Sequence, residues 1–295
     1  MIVDAHTHVF PPRVIAERDL YVRSDAAFAE LYGSPEAKLA TADDLLRSMD
    51  EAGVDVSVAL GFAWKDPASC RLHNDYLLDA AAGSGGRILA FPCLPLGAAL
   101  ASGAADLRLI EAEARRCAAA GARGFGELRP ENVGFNFAAQ PSGAAGPEAA
   151  FLAGLAAELG VALLFHVSEP VGHPYAGKAG FGLQAFYRFV SAYPETRVIG
   201  AHWGGGLPFY ARMPEVKAVF SAGLRVDTAA SSLLYDAAVY AEVAGLVGPE
   251  AVLFGSDYPL LSQKRSRRRV EESGLAPEAV RLVLGENAAR FLGLK

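Results

Sequence analysis

Short apolar runs in this chain end, one after another, on a histidine or a carboxylate. Ile2-Val3 leads into Asp4-Ala5-His6-Thr7-His8. Gly124-Phe125-Gly126 leads to Glu127, and Val161-Ala162-Leu163-Leu164-Phe165 to His166. Arg197-Val198-Ile199-Gly200-Ala201 ends on His202, and Ala251-Val252-Leu253-Phe254-Gly255-Ser256 on Asp257. Runs of this length read as buried strands. Three more are predicted over 54–60, 88–92 and 223–227. Between them lie stretches with helical spacing, over 41–52, 72–82, 107–120, 147–159, 184–192, 207–220 (interrupted near Pro214) and 236–247, with a helical tail from Pro277. Eight strands alternating with helices imply parallel βαβ units. An open sheet would gather its site at one switch point, whereas these residues sit on strands 1, 4, 5, 6 and 8. Only a closed barrel brings them together, so the expectation is a (β/α)8 TIM barrel with its site at the C-terminal ends of the strands. A chain of 295 residues accommodates one such domain, spanning 1–295, with room for an insertion.

Residues 10–40 do not fit the alternation. A loop of that length after the first strand is too long for an ordinary connection. It leaves the strand on the active face, and its aromatics Tyr21, Phe28 and Tyr32 predict a packed lid over the pocket. The barrel is therefore expected to be distorted, with this insertion capping its C-terminal face. The Gly/Pro-rich segments 132–146 and 171–182 belong to the same face.

Composition excludes several classes. With 52% hydrophobic and 20% charged residues the chain buries a large core. A net charge of −6 argues against a general nucleic-acid or membrane-surface binder. No apolar run is long enough to span a bilayer, and metal-site sequence by residue 4 leaves no room for a signal peptide. Cys70, Cys93 and Cys117 are odd in number and lack CxxC spacing, which points to a reducing, cytoplasmic setting without disulfides.

The chemistry starts at His6 and His8. Side chains alternate along a strand, so residues two apart face the same way, and two converging imidazoles begin a divalent metal site. His166 is the next candidate ligand. Asp257 can both touch the metal and take a proton from bound water, whose pKa a metal lowers to roughly 7; its alternative is a helix N-cap. His202, followed by Trp203-Gly204-Gly205-Gly206, is assigned to a second metal or to contact with the activated water or substrate. Glu127 could bridge two metals or pair with Arg129. The expected cofactor is Zn2+ or another divalent ion such as Mn2+, one or two per chain. Arg129, Lys178, Trp203 and Tyr258 are the candidate substrate contacts, a cation among them suited to a substrate carboxylate. His73 and His173 are read as ordinary residues, and Lys264-Arg265-Ser266-Arg267-Arg268-Arg269 as a solvated helix face.

At these residues a resemblance becomes specific. Asp4-Ala5-His6-Thr7-His8, His166, His202-Trp203-Gly204-Gly205 and Gly255-Ser256-Asp257-Tyr258-Pro259 together resemble the amidohydrolase superfamily. They are most similar to its amidohydrolase-related branch, which includes aminocarboxymuconate semialdehyde decarboxylase, and 285–293 resembles that branch's C-terminal helix. The resemblance implies His6, His8, His166 and Asp257 on one metal, with His202 acting on water or substrate. Glu127 departs from it and is more like the TatD-type metallohydrolases, where a glutamate ligates metal in a two-ion site.

The function expected first is therefore a metal-dependent hydrolase of an amide, ester or lactone in a small, carboxylated substrate. The alternative is a non-oxidative decarboxylase of the aminocarboxymuconate semialdehyde decarboxylase type. A TatD-like nuclease or a non-catalytic metal-binding scaffold ranks lower. The partners expected are a small-molecule substrate and a second copy of the chain in a homodimer, with neither nucleic acid nor membrane.

Overall fold

Eight parallel strands form where the apolar runs lie: β1 Val3–His8, β2 Val56–Leu60, β3 Ile88–Phe91, β4 Gly124–Leu128, β5 Ala162–Phe165, β6 Val198–Gly200, β7 Arg225–Asp227 and β8 Val252–Leu253. The computed structural model describes residues 1–135, 137, 146–178 and 182–294. Parts of the expected 132–146 and 171–182 loops lie outside them. Strands β1 to β3 pair in order, as do β4 to β8. Backbone hydrogen bonds bridge both remaining seams. Arg123 N donates to Ala90 O and Gly126 N to Pro92 O, both at 3.1 Å. Ala5 N donates to Phe254 O at 2.7 Å, Asp257 N to His6 O at 2.9 Å and His8 N to Tyr258 O at 2.6 Å. The architecture is the expected TIM barrel, with a helix after every strand: Ala42–Ala52, Pro67–Gly83, Leu107–Ala119, Pro147–Leu159, Leu183–Ala192, Pro214–Ala222, Val239–Val247 and Gln263–Glu271.

Two helices differ most from their expected bounds, each for a local reason. The helix after β2 starts at Pro67 rather than Leu72, because Asp66 caps it by accepting from Ser69 N and Pro67 suits the first turn. The stretch 207–220 splits into a 3-10 turn, Leu207–Tyr210, and a helix that begins at Pro214.

The barrel interior is filled by Val3, Ala5, Val58, Leu60, Phe91, Ala162, Leu164, Ile199, Ala201 and Leu253, joined by Ala288 and Leu292. The last two belong to the helix Asn287–Leu292, whose Asn287 amide donates to Pro249 O and Val252 O at the start of β8. That helix plugs the end of the barrel opposite the site.

The sequence pattern does not reveal how His6 comes to face inward. Val3 and Ala5 already point into the barrel, so a strict period of two would turn His6 and His8 outward. Between Asp4 and Thr7 the pairing with β2 slips by one residue, Asp4 facing Ser57 and Thr7 facing Ala59. Such a bulge re-aims the side chains beyond it. The same slip occurs between Phe125 and Leu128 in β4, at Glu127. There β4 reaches across to β2: Gly61 N donates to Gly126 O at 2.6 Å and Glu127 N to Gly61 O at 3.0 Å. The approach needs glycine at 61, since a Cβ there would lie 2.4 Å from Cys93 N.

The 10–40 insertion folds into three short helices, Pro12–Ala16, Arg18–Ser24 and Ala26–Tyr32. Asp25 caps the third by accepting from Ala27 N and Phe28 N, and ties it to the barrel by accepting from Lys65 N at 2.7 Å. Phe28 stacks on Trp64 with ring centroids 5.0 Å apart. Among the described residues no helix is long and apolar enough to cross a membrane, and Cys70, Cys93 and Cys117 are buried free thiols.

Candidate metal centre

Five strand ends converge. His6 Nε2 lies 3.1 Å from His8 Nε2. Glu127 Oε2 is 3.9 Å from the first and 3.5 Å from the second, and Asp257 Oδ1 is 3.6 and 3.5 Å from the same two atoms. Ligand atoms about 2.1 Å from a shared ion in a tetrahedron sit about 3.4 Å apart, so His6 and His8 with either carboxylate have the spacing of donors around one divalent cation. A second group adjoins it. Glu127 Oε1 is 2.9 Å from His166 Nδ1 and 3.9 Å from His202 Nε2, which is itself 3.6 Å from Asp257 Oδ2. Glu127 thus turns one oxygen to each group.

The protonation states fit a cation. Burial alone would neutralise Glu127, yet His166, His6 and His202 hold its carboxyl well below the usual range. Asp257 is likewise pushed up by burial but brought down to about 2, chiefly by the His202 hydrogen bond and the His6 charge. Burial keeps His8 and His166 neutral. Ionised carboxylates and neutral imidazoles are the forms that bind metal. At His6 burial opposes charge, but Asp227, then Glu127 and Asp257, raise its pKa to about 10. Anions crowd this imidazole so closely that a positive charge belongs beside it. Its Nδ1 donates to Asp227 Oδ2 at 2.8 Å, so the 3.1 Å between its Nε2 and that of His8 holds either a shared proton or a cation. The other nitrogen of His8, Nδ1, is buried and has no hydrogen-bond partner among the described residues.

Asp227 is a site residue that the sequence reading missed. It sits at the end of β7, fully buried, where the rule that picked out the other strand ends would have found it. One oxygen orients the His6 ring and the other accepts from His202 N at 2.9 Å and Ala229 N at 3.0 Å. Carboxylates behind a metal-binding imidazole fix its tautomer and direction. Asp4 was also missed as a support. It accepts from Ser256 N, Ser256 Oγ and Gln263 Nε2, which ties β1 to the segment carrying Asp257. Both His202 (φ 56°) and Asp257 (φ 63°) adopt the left-handed backbone that side chains disfavour, a strain of roughly 1–3 kcal/mol each that the fold offsets at functional sites.

A cavity of 360 Å³ opens above these donors, a size suited to a single-ring ligand. His8, Glu127, His166, His202 and Asp257 form its polar floor, and Leu31, Phe62, Leu233, Leu234 and Leu260 line its walls. Leu31, Tyr32, Ala37 and Lys38 bring the 10–40 insertion into the lining. Arg129 is on the wall, 2% exposed. Its Nη2 donates to Gly177 O at 3.1 Å, a carbonyl that also lies 2.9 Å from His166 Nε2, and it lies 3.5 Å from Glu30 Oε2 of the insertion.

The other expected substrate contacts lie elsewhere. Trp203 is buried behind the site: its indole N–H donates to Ser231 Oγ at 2.8 Å and its ring meets Tyr240 edge-on, because the backbone turn that aims His202 sends Trp203 outward. Lys178 Nζ donates to Val171 O and His173 O and lines a neighbouring cavity of 290 Å³. Tyr258 joins β1 through its backbone, while Pro259 and Leu260, not Tyr258, reach the cavity. His173, read as ordinary, lines both cavities. His73 is structural as expected, donating from Nε2 to Val9 O at 2.7 Å and accepting from Trp64 Nε1 at 3.1 Å.

Residues 3–294 match the model of a family described as amidohydrolase. The fold matches that of 5-carboxyvanillate decarboxylase from Sphingomonas paucimobilis over 100% of this chain and 99% of that one, with a TM-score of 0.76 and 16% identity. It also matches 2,6-dihydroxybenzoate decarboxylase from Rhizobium (99% and 98% covered, TM-score 0.72, 19% identity). A third match is dihydroxybenzoic acid decarboxylase from Polaromonas, solved with manganese and the inhibitor 2-nitroresorcinol (99% and 97% covered, TM-score 0.73, 17% identity). No functionally curated protein matches the sequence.

Proposed function

The chain belongs to the amidohydrolase family, metal-dependent enzymes that are hydrolases or carboxy-lyases, and we propose that it is a non-oxidative decarboxylase of a small aromatic carboxylate. The observation that carries this reading is Arg129, a buried guanidinium on the wall of a largely apolar cavity beside the metal-binding donors. A planar fork of donors in a dry site suits a carboxylate better than a neutral ester or lactone. Structural neighbours that decarboxylate 5-carboxyvanillate and 2,6-dihydroxybenzoate support it. Decarboxylation is thus preferred to the hydrolysis expected first from the sequence.

His6, His8, Glu127 and Asp257 would hold the ion, manganese or zinc, with His166 bracing Glu127. When bound, the ion supplies Lewis-acid polarisation of the substrate's oxygens. Arg129 binds the carboxylate, and Phe62, Leu233, Leu234 and Leu260 clasp the ring and exclude water. As the carbon–carbon bond breaks and carbon dioxide leaves, the ring carbon needs one proton. His202, beside Asp257 at the cavity floor, is placed to deliver it.

A second reading, hydrolysis at a two-ion centre, is favoured by Glu127, whose two oxygens face the two donor groups. One experiment separates them. The protein, reconstituted with manganese or zinc, is analysed for metal and assayed with 2,6-dihydroxybenzoate, 5-carboxyvanillate and a panel of lactones and esters. About one ion per chain with carbon dioxide release is expected. Two ions with hydrolysis alone would overturn the decarboxylase reading.

A further inference from the structure

The basic run 264–269 divides by helix face. Arg267 donates to Ala52 O and Gly53 O at the end of the helix Ala42–Ala52 and pairs with Glu271. Arg268 pairs with Glu272. Arg265 and Arg269, one turn apart, have no carboxylate partner among the described residues. Both border a cavity of 480 Å³ whose remaining polar lining is Lys38, Ser232, Ser262 and Ser266. Among the described residues no acidic side chain lines it.

Two further observations point to an anion there. The helix Gln263–Glu271 begins at this cavity with no acidic residue in its first turn and no side-chain cap from Ser262. Cations at a helix N-terminus oppose the macrodipole, so Lys264 and Arg265 are placed against the rule, and a bound anion would reverse the sign of that interaction. Ser266 is 8% exposed, lines the cavity, and its hydroxyl has no hydrogen-bond partner among the described residues. This hydroxyl opens into the cavity, where an anion oxygen could accept from it.

We propose that this cavity, between Lys38 and the first two turns of the helix Gln263–Glu271, binds a phosphate-class dianion. Three cations, three hydroxyls and the first-turn N–H groups match the many acceptor lone pairs of a phosphate. The site adjoins the metal cavity: Lys38 and Leu260 line both, and Lys38 Nζ donates to Leu260 O at 3.2 Å. The phosphate is thus either a free anion or the distal group of a ligand that extends from the metal cavity.

The test is isothermal titration of the metal-loaded protein with inorganic phosphate at fixed ionic strength, without turnover, so its outcome is independent of the decarboxylase reading. The wild type is expected to show a saturable site that weakens at least tenfold in R265Q/R269Q and in K38M, and stays unchanged in R268Q, whose arginine already has Glu272. Phenyl phosphate separates the sources. Equal or tighter binding of inorganic phosphate marks a free-anion site, and phenyl phosphate binding at least tenfold tighter marks an organic ligand's tail. The proposal is overturned if no saturable site is seen, or if R265Q/R269Q binds both probes as the wild type does, which would place the phosphate on the metal. Circular dichroism of each variant guards against loss through misfolding, and S266A, a change too small to unfold a helix, should weaken binding in the same direction.

Discussion

Replacing His73 with glutamine should change how stability depends on pH. His73 is buried 64 residues from Val9 in sequence, and its ring nitrogens are committed in one pattern, Nε2–H to Val9 O and Nδ1 accepting from Trp64. The imidazole also stacks on Phe10 at 4.9 Å. Burial, only partly offset by the Val9 carbonyl, lowers its pKa from 6.5 to about 4. The folded chain therefore keeps His73 neutral where the unfolded chain protonates it. Stability from this group is fully present above pH 6.5 and is lost as the pH falls toward 4. Between pH 7.5 and 4.5 the linkage amounts to about 2.5 kcal/mol. Glutamine can donate to Val9 and accept from Trp64 but does not titrate. H73Q should thus be less stable than wild type at pH 7.5, by about 1 kcal/mol for the lost ring contact. The gap should shrink on acidification and invert a little below pH 6. Urea denaturation of both proteins at several pH values, with metal held constant, measures the difference. Titration of the metal-site histidines cancels in it. A stability difference that stays constant from pH 7.5 to 4.5 would refute the argument.

Three further substitutions probe the site. D227N removes the charge behind His6 and weakens the brace on His202 N, so metal affinity should fall about 10- to 100-fold with unchanged circular dichroism; equilibrium dialysis that finds wild-type affinity would contradict the orienting role. R129Q should raise KM for a carboxylated substrate about 30-fold, equivalent to roughly 2 kcal/mol, with a smaller change in kcat; an unchanged KM would remove Arg129 as the carboxylate clamp. G61A forces a Cβ against Cys93 N and should cost about 1–3 kcal/mol of stability. Because Gly61 O holds Glu127 N, its metal affinity should drop as well, and a variant with normal affinity would show that the β2–β4 contact does not place Glu127.

Much of this molecule could be read from the order of its residues because barrel strands are short apolar runs and chemistry sits at their ends. His6, His8, Glu127, His166, His202 and Asp257 all follow that rule, and all cluster beneath one cavity, His6 buried behind the rest. The rule has a blind spot in which direction a side chain points. Trp203 and Tyr258 adjoin site residues in sequence, yet the turns that aim His202 and Asp257 aim their neighbours away. The 10–40 insertion was legible as a cap from its aromatics, but not the reach of Glu30 to Arg129, which depends on how the third helix docks.

The register slips carry the deeper lesson. Alternation correctly puts His6 and His8 on a common face, and it would have put that face outside, because Val3 and Ala5 already fill the interior. Nothing in Asp4-Ala5-His6-Thr7 marks a bulge. It arises because Asp4 is held by Ser256 and Gln263 while Thr7 is held by Val58 O, and the chain between these anchors has one residue too many for β2. At Glu127 the extra residue is forced by a different contact, the pinch between Gly61 and Gly126. Two strands with unrelated causes thus make the same one-residue slip. In each case the residue that turns inward is one that faces the proposed metal. The position of a ligand along a strand is therefore a local property that sequence records, while its direction is set by residues up to 259 positions away.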